Sequence, residues 1–229
     1  NNAAFPGGLG GGTGPEGSAV VSLSTNPNST VRFTLYVNNT SGQGDNYDMA
    51  ARTDGSFGSL TLPAGWAVTF RDASNAILTN TGNIAAGGNK LVYADVDVPA
   101  GYVAGAVSLF FRALSPISSA SDAIHDAVSV NVVRGFTLVP NNSAQVAPGG
   151  SVVYTHVLVN NGNVTEGDGA GSFTSFSSAN DQAGWTSALY YDTNNSGVFD
   201  AGDLPLTDLV LLGGLAPGAN LRVFQQVFS

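Results

Sequence analysis

Residues 31–39 read VRFTLYVNN, and they decide the fold class of this chain. Four apolar side chains recur at every second position from Val31 to Val37, with polar or hydroxyl-bearing side chains between them. Alternation with period two indicates a half-buried β-strand. Residues 153–159 repeat the pattern, with Val153, Val157 and Val159 on the predicted inner face. Both stretches are therefore predicted strands whose valine-bearing face lies toward a core.

Most of the remaining chain also has the composition of strands separated by turns. Runs rich in β-branched and aromatic residues alternate with Gly, Asn, Pro, Ser and Asp, which favour turns. These runs are residues 19–23, 66–70, 91–98, 106–114, 127–133, 136–139, 186–191 and 221–228. The one weakly helical segment, residues 118–127, is polar, and we interpret it as a loop. Many short strands with turns between them predict an all-β fold, a β-sandwich or a barrel.

The composition excludes several classes of function. Only 10% of the 229 residues are charged, and 16 acidic against 7 basic residues give a net charge of −9. Nucleic-acid binding and attachment to anionic lipid both need clustered Lys and Arg, which this chain lacks. Its apolar stretches are too short to span a membrane, so we expect no direct membrane insertion. The lack of Cys excludes disulfides, thiolate catalysis and Cys-bound zinc.

Four short islands of sequence recur in the same order and indicate an internal repeat. Residues 37–39 recur at 159–161 (an offset of 122), 44–45 at 167–168, 64–72 at 183–192, and 89–96 at 220–227. The predicted organisation is a Gly-rich arm over residues 1–18, a first repeat over 19–134 and a second repeat over 135–229.

The second copy is shorter than the first. In the first copy two further strand-like segments, residues 106–114 and 127–133, follow the last shared island, and the second copy has no counterpart of them. A sandwich without two of its strands exposes unpaired backbone. Either the chain is a fragment of a longer repeat protein, or a neighbouring subunit supplies the missing strands by strand addition.

Residues 192–203 read DTNNSGVFDAGD and match the spacing of a 12-residue calcium loop. Calcium takes about six to eight oxygen ligands, which one short loop can supply. Gly197 stands at the sixth position, where the chain must turn sharply. The predicted metal ligands are Asp192, Asn194, Ser196, Val198 through its carbonyl, Asp200 and Asp203.

The loop departs from the EF-hand pattern in two ways. Asp203 stands where a longer Glu normally ligates through both oxygens, and the flanking residues do not start helices. The alternative interpretation is an Asn- and Asp-rich surface turn without metal. Four other acids in Gly-rich turns are predicted to be solvated: Asp45, Asp48, Glu166 and Asp168.

The sequence offers little equipment for catalysis. His125 lies in a predicted loop, and His156 lies on a predicted strand where it faces solvent or a sheet edge. G-x-S-x-G, H-E-x-x-H and P-loop motifs are missing from the sequence. Trp66 and Trp185 occupy equivalent places in the two copies and are predicted core residues. We therefore expect a protein that is not an enzyme and has no catalytic residues.

The chain resembles the immunoglobulin-like repeats of bacterial cell-surface proteins, and the residues that carry the resemblance are 148–154, 159–163, Trp185 and 191–203. The similarity is to DUF11-type repeats and calcium-loop B-type repeats, as in envelope proteins of the Deinococcus–Thermus group. It covers the second copy well and the first copy loosely, because the first copy lacks the calcium loop. The resemblance implies tandem Ig-like antiparallel β-sandwiches, the second one incomplete at its C-terminus, with one Ca²⁺ in the second repeat and an extracellular location.

These observations lead to an expectation of function. The leading hypothesis is a structural subunit of a surface layer (S-layer) or extracellular filament that self-assembles with other copies of itself. The alternative is an adhesin or carbohydrate-binding module that uses its exposed loops. Fold alone does not choose between them.

Overall fold

The computed structural model describes residues 2, 14–58, 61–169, 172 and 175–229, which form two compact units, residues 1–131 and 132–229. The strands of the first unit are β1 (Ser22–Thr25), β2 (Ser29–Asn38), β3 (Asp48–Arg52), β4 (Ala67–Arg71), β5 (Asn89–Val98), β6 (Gly105–Leu114) and β7 (Ser121–Val130). Those of the second are β8 (Phe136–Val139), β9 (Ser151–Asn160), β10 (Thr186–Tyr191), β11 (Leu204–Pro205) and β12 (Asn220–Phe228), with a 3-10 helix at Leu209–Leu212. Of the predicted Gly-rich arm, residues 1 and 3–13 lie outside the described part.

The first unit is a sandwich of two sheets, which confirms the all-β prediction. One sheet has the order β1-β7-β6-β3 and the other β2-β5-β4. Alternate residues of the two sheets meet in one core, where the rings of Phe33 and Phe111 lie 5.4 Å apart. Trp66 is buried at the end of this core, as predicted, with its ring against Tyr102. No helix in the described ranges is long and apolar enough to cross a membrane.

Strand β7 corrects the interpretation of residues 118–127 as a loop. The strand is buried on both faces, since every residue from 123 to 128 is buried. Its polar residues Asp122, His125 and Asp126 interrupt the continuous apolar run that is typical of a strand buried on both faces. Strand β3 also went unpredicted, because its sequence DMAAR carries no β-branched residue.

The internal repeat is present in the structure as a shared three-stranded sheet. In the second unit β9, β12 and β10 are hydrogen-bonded in the same order as β2, β5 and β4 in the first. Asn38 lies opposite Asn89, and Val159 lies opposite Asn220. Asn220 of β12 follows Asn89 of β5 by 131 residues, and their partners Val159 and Asn38 are 121 residues apart. The predicted offset of 122 between β2 and β9 was therefore wrong by one residue.

A one-residue slip moves every side chain of a strand to the other face. The core side of β9 is therefore the face with Leu158, which is 4% exposed, and Val153, Val157 and Val159 point the other way. The predicted inner face of this strand was wrong for that reason. On the corrected alignment Tyr154 and His156 of β9 stand where β2 has aromatic and aliphatic core residues.

A buried asparagine marks the same position in each unit. Asn39 is 1% exposed and Asn160 is fully buried. Each donates from Nδ2 to the carbonyl four residues ahead and to a distant carbonyl, that of Ile84 in the first unit and Leu215 in the second. The Oδ1 atom of each accepts a backbone N–H two residues ahead. These matching bonds support the corrected alignment independently of the strands.

The second unit has a different arrangement of sheets. Its described strands form one five-stranded sheet in the order β11-β10-β12-β9-β8. Strand β8 pairs with β9, whereas the first strand of unit 1 pairs with β7. Leu206, Leu209 and Leu215, from the connection between β11 and β12, cover part of the core face.

Candidate functional site

The predicted calcium loop connects two paired strands of the second unit. Asp192 follows the last residue of β10, and Asp203 precedes the first residue of β11. Because Tyr191 pairs with Leu204 across this hairpin, the two ends of the loop lie side by side. The first and last predicted ligands are thus brought together by the sheet.

The carboxylate of Asp192 is enclosed, with its side chain only 2% exposed. Its Oδ1 accepts the N–H of Ser196 at 3.0 Å, and its Oδ2 accepts the N–H of Gly197 at 2.9 Å. Arg222 Nη1 donates to the same Oδ2 at 2.8 Å. Burial alone acts to raise the pKa of Asp192, but the hydrogen bonds from Arg222 and the loop outweigh it, so the pKa lies below its usual value.

The middle of the loop is closed by polar side chains. Asn194 Oδ1 accepts the Ser196 N–H at 2.9 Å, and its Nδ2 donates to Asp200 Oδ2 at 3.1 Å. The hydrogen bond from Asn194, together with that from the Gly202 N–H, lowers the pKa of Asp200. Gly197 has φ 81°, the left-handed conformation expected for the sixth position.

The end of the loop is fixed by Asp203, which is 7% exposed. Its Oδ2 accepts the Asp200 N–H at 2.8 Å, and its Oδ1 accepts the Thr193 N–H at 3.4 Å. Between these acids, the ring of Phe199 packs against Tyr190 of β10 and Phe224 of β12, with ring centroids 4.9 Å and 5.8 Å away. An aromatic contact therefore ties the loop to the sheet.

The chemistry of the donor set fits calcium, because all six predicted ligands supply oxygen atoms from one short segment. The carboxylates are, however, directed at N–H groups of the loop itself. Across the described ranges of the chain, no three Asp, Glu or His side chains are arranged as a metal-binding group. The structure shows a loop that its own hydrogen bonds and Arg222 hold closed.

Two of the acids predicted to be solvated are buried instead. Asp45 is 7% exposed and Glu166 is fully buried. The hydroxyls of Ser118 and Ser115 donate to Asp45 and lower its pKa. Glu166 accepts from Arg134 Nη1 at 2.7 Å.

The two acids occupy equivalent places in the repeat. The backbone of Asp45 pairs with that of Ile84, and the backbone of Glu166 pairs with that of Leu215. The carbonyls of Ile84 and Leu215 are the ones that accept hydrogen bonds from the two buried asparagines. The sequence repeat predicted Asp168 as the counterpart of Asp45, and these backbone pairs show that this was wrong by two residues.

The remaining two acids, Asp48 and Asp168, are exposed, as the sequence predicts. The equivalent turn of the first unit contains Asp72, whose Oδ1 accepts the N–H groups of Ser74 and Ala76 at 2.9 Å and 3.0 Å. It is a short turn between β4 and the following segment.

The two imidazoles lie in different units. His125 is on β7, not in a loop, and is 8% exposed with its ring stacked on Phe110 at 4.3 Å. Its Nδ1 contacts the Glu16 carbonyl and its Nε2 the Ser108 hydroxyl, both at 3.0 Å. His156 is half-buried on β9 with Nδ1 2.8 Å from the Pro140 carbonyl. Both rings are thus engaged in contacts that hold segments of backbone in place.

The residue next to His125 is a buried acid that no sequence pattern predicted. Asp126 is 1% exposed, and its Oδ1 accepts the Val21 N–H at 2.9 Å. Burial raises the pKa of Asp126 to about 6, and the nearby charge of Glu16 adds to this effect. Trp185 also differs from expectation, since it is 38% exposed while Trp66 is 7% exposed.

Comparison with known proteins gives no family for this chain. No family model and no curated protein matches it. A family 123 glycoside hydrolase from Clostridium perfringens is 8% identical with a TM-score of 0.35, over 52% of this chain and 23% of that one, so the chain spans less than a quarter of that enzyme's length. The CupB2 chaperone of Pseudomonas aeruginosa is 10% identical with a TM-score of 0.31, over 90% and 86% of the two chains. A chain of the CsuC–CsuE chaperone–tip adhesion subunit complex of Acinetobacter baumannii is 8% identical with a TM-score of 0.33, over 93% and 94%.

Proposed function

We propose that this chain is a non-enzymatic structural subunit of a bacterial cell-surface assembly, an S-layer or an extracellular filament, built from calcium-stabilised Ig-like repeats. The observation that carries the proposal is the repetition of one three-stranded sheet, with the same register and the same buried asparagine, in both units. Tandem units of this kind suit extended assemblies, because each unit adds length without changing its neighbours.

The composition supports this role over one that depends on charge. With 10% charged residues, the chain has few charged side chains to place on its surface. Such a surface can pack against copies of itself without the repulsion that a strongly charged surface would create. We propose an extracellular location, where calcium is present at concentrations that loops of this type bind.

Strand addition at the second unit is the proposed mode of self-association. In the first unit the sheet β2-β5-β4 is covered by β6 and β7. Among the described residues of the second unit, the corresponding sheet is covered only in part, by the connection after β11 and by Phe176 and Ser178 from the segment before β10. Strands from a neighbouring copy would complete that cover, and they would meet the half-buried Tyr154 and His156 on β9.

The test compares assembly and thermal stability with calcium and with a chelator. Sedimentation velocity and electron microscopy of the purified chain should show reversible oligomers or filaments in millimolar calcium. The unfolding temperature of the second unit should rise with calcium in the wild-type chain and in Asp72→Ala, but not in Asp192→Ala. A monomer at high concentration with calcium would overturn the assembly. An unfolding temperature that does not respond to chelator would overturn the calcium site.

A further inference from the structure

Arg222 reaches the calcium loop from outside it. It lies on β12, and its carbonyl accepts the Asp192 N–H at 3.2 Å while its Nη1 donates to Asp192 Oδ2 at 2.8 Å. The Asp192 side chain is almost fully enclosed, and that of Arg222 is about one-third exposed, at 35%. Backbone and side chain of Arg222 therefore both hold the first predicted ligand.

The guanidinium also lies against the sharp turn of the loop. A Cβ atom added at Gly197 would stand 3.2 Å from Arg222 Nη1. Arg222 thus binds the first position of the 12-residue loop and lies next to the sixth. In this arrangement a positive charge from the sheet neutralises a loop carboxylate.

We propose that Arg222 regulates the calcium site as a tethered competing cation. This inference rests on the calcium binding put forward under the proposed function. A calcium ion that took Asp192 as a ligand would share that carboxylate with a guanidinium already bound to it. Because like charges repel, Arg222 lowers the affinity for calcium, and because it bonds Asp192, it keeps the metal-free loop closed.

The consequence is a site tuned to respond to changes in calcium rather than to remain saturated. Reduced affinity moves the half-saturation point toward the weak end of the range that extracellular calcium modules cover. The metal-free loop stays folded on β10 and β12 through Arg222 and Phe199. Calcium would then change the charge of a loop that is already formed.

The experiment is calorimetric titration of calcium into wild-type protein and Arg222→Gln, at fixed ionic strength, with thermal unfolding of both. Removing a unit charge this close to a ligand should tighten calcium binding by about tenfold. The metal-free variant should also unfold at a lower temperature, so that calcium raises its unfolding temperature more than it raises that of the wild type. Arg71→Gln, which removes the same charge from an ion pair with Asp95 in the first unit, should leave calcium affinity unchanged.

Further variants separate the outcomes. Arg222→Lys keeps the charge and should bind calcium with nearly wild-type affinity, while Arg222→Met serves in place of Arg222→Gln if circular dichroism shows that the latter is unfolded. Equal or weaker binding by the uncharged variants, with binding by the wild type intact, would overturn the competition and leave the calcium site standing. A wild-type chain that binds no calcium would overturn the calcium site and this inference together.

Discussion

The buried carboxyl of Asp126 should make the first unit less stable at neutral pH than at acidic pH. Its pKa is raised from 3.8 to about 6, because ionisation is opposed in the folded chain by burial. Each pKa unit corresponds to about 1.4 kcal/mol, so a difference of about two units corresponds to about 3 kcal/mol. The contribution of Asp126 to the free energy of unfolding is fully present below about pH 4, and it is lost as the pH rises through about 6.

Asp126→Asn removes the ionisation and keeps an oxygen that can accept the Val21 N–H. At about pH 7.5 the variant should gain up to about 3 kcal/mol in free energy of unfolding, and at about pH 3.5 the gain should nearly vanish. Urea unfolding followed by the fluorescence of buried Trp66, in a Trp185→Phe background, reports on the first unit. In this variant the free energy of unfolding will still depend on pH, because burial also raises the pKa of Asp122.

Asp97→Asn is the matched control, since it removes the same charge from an exposed position on β5. Its effect should stay within about 0.5 kcal/mol at both pH values. If Asp126→Asn gains the same free energy of unfolding at acidic and neutral pH, or loses free energy of unfolding at neutral pH, then burial does not oppose the ionisation of Asp126. The reasoning from burial would then be refuted.

Two further predictions concern the second unit. Asn160→Ala removes three hydrogen bonds from a fully buried side chain and should lower the free energy of unfolding, measured in urea, by about 3 kcal/mol. The control Asn161→Ala, at an exposed position, should lower it by under about 1 kcal/mol. Equal losses would show that the hydrogen bonds of Asn160 do not stabilise the second unit. Gly167→Ala places a Cβ 2.5 Å from the Leu209 Cβ at φ 85°, and it should be more destabilising in thermal unfolding than Gly184→Ala, which has φ 83° and no atom within 4 Å. Similar unfolding temperatures for the two Gly variants would show that the contact with Leu209 does not limit the packing.

Much of the fold followed from period-two alternation. The runs at 136–139 and 186–191 coincide with β8 and β10, because each is bounded by residues that favour turns. The internal repeat also placed the shared sheet correctly, but matching identical letters gave the wrong register. Two adjacent asparagines in each copy allow two alignments, which the strand pairing and the hydrogen bonds of the buried asparagine distinguish.

The polar residues of the core were harder to foresee. Asp45, Glu166 and Asp126 look like turn or loop acids in sequence, since burial of a carboxyl depends on partners that lie far along the chain. Asp45 meets hydroxyls about 70 residues away, and Asp126 meets a backbone N–H 105 residues away. The predicted calcium loop is local and spacing alone defined its ends, but Arg222, 30 residues from Asp192, had no local signal.

The parallel pairing of β1 with β7 has a mechanical consequence for a protein of the proposed kind. The first and last strands of the first unit lie side by side and run in the same direction. Tension applied to the two ends of this unit would load the bonds between these strands in shear, so that they resist together and do not open one by one. The bond from Val21 to the Asp126 carboxylate lies in this row, which would make the force that the unit withstands depend on the acidity around it.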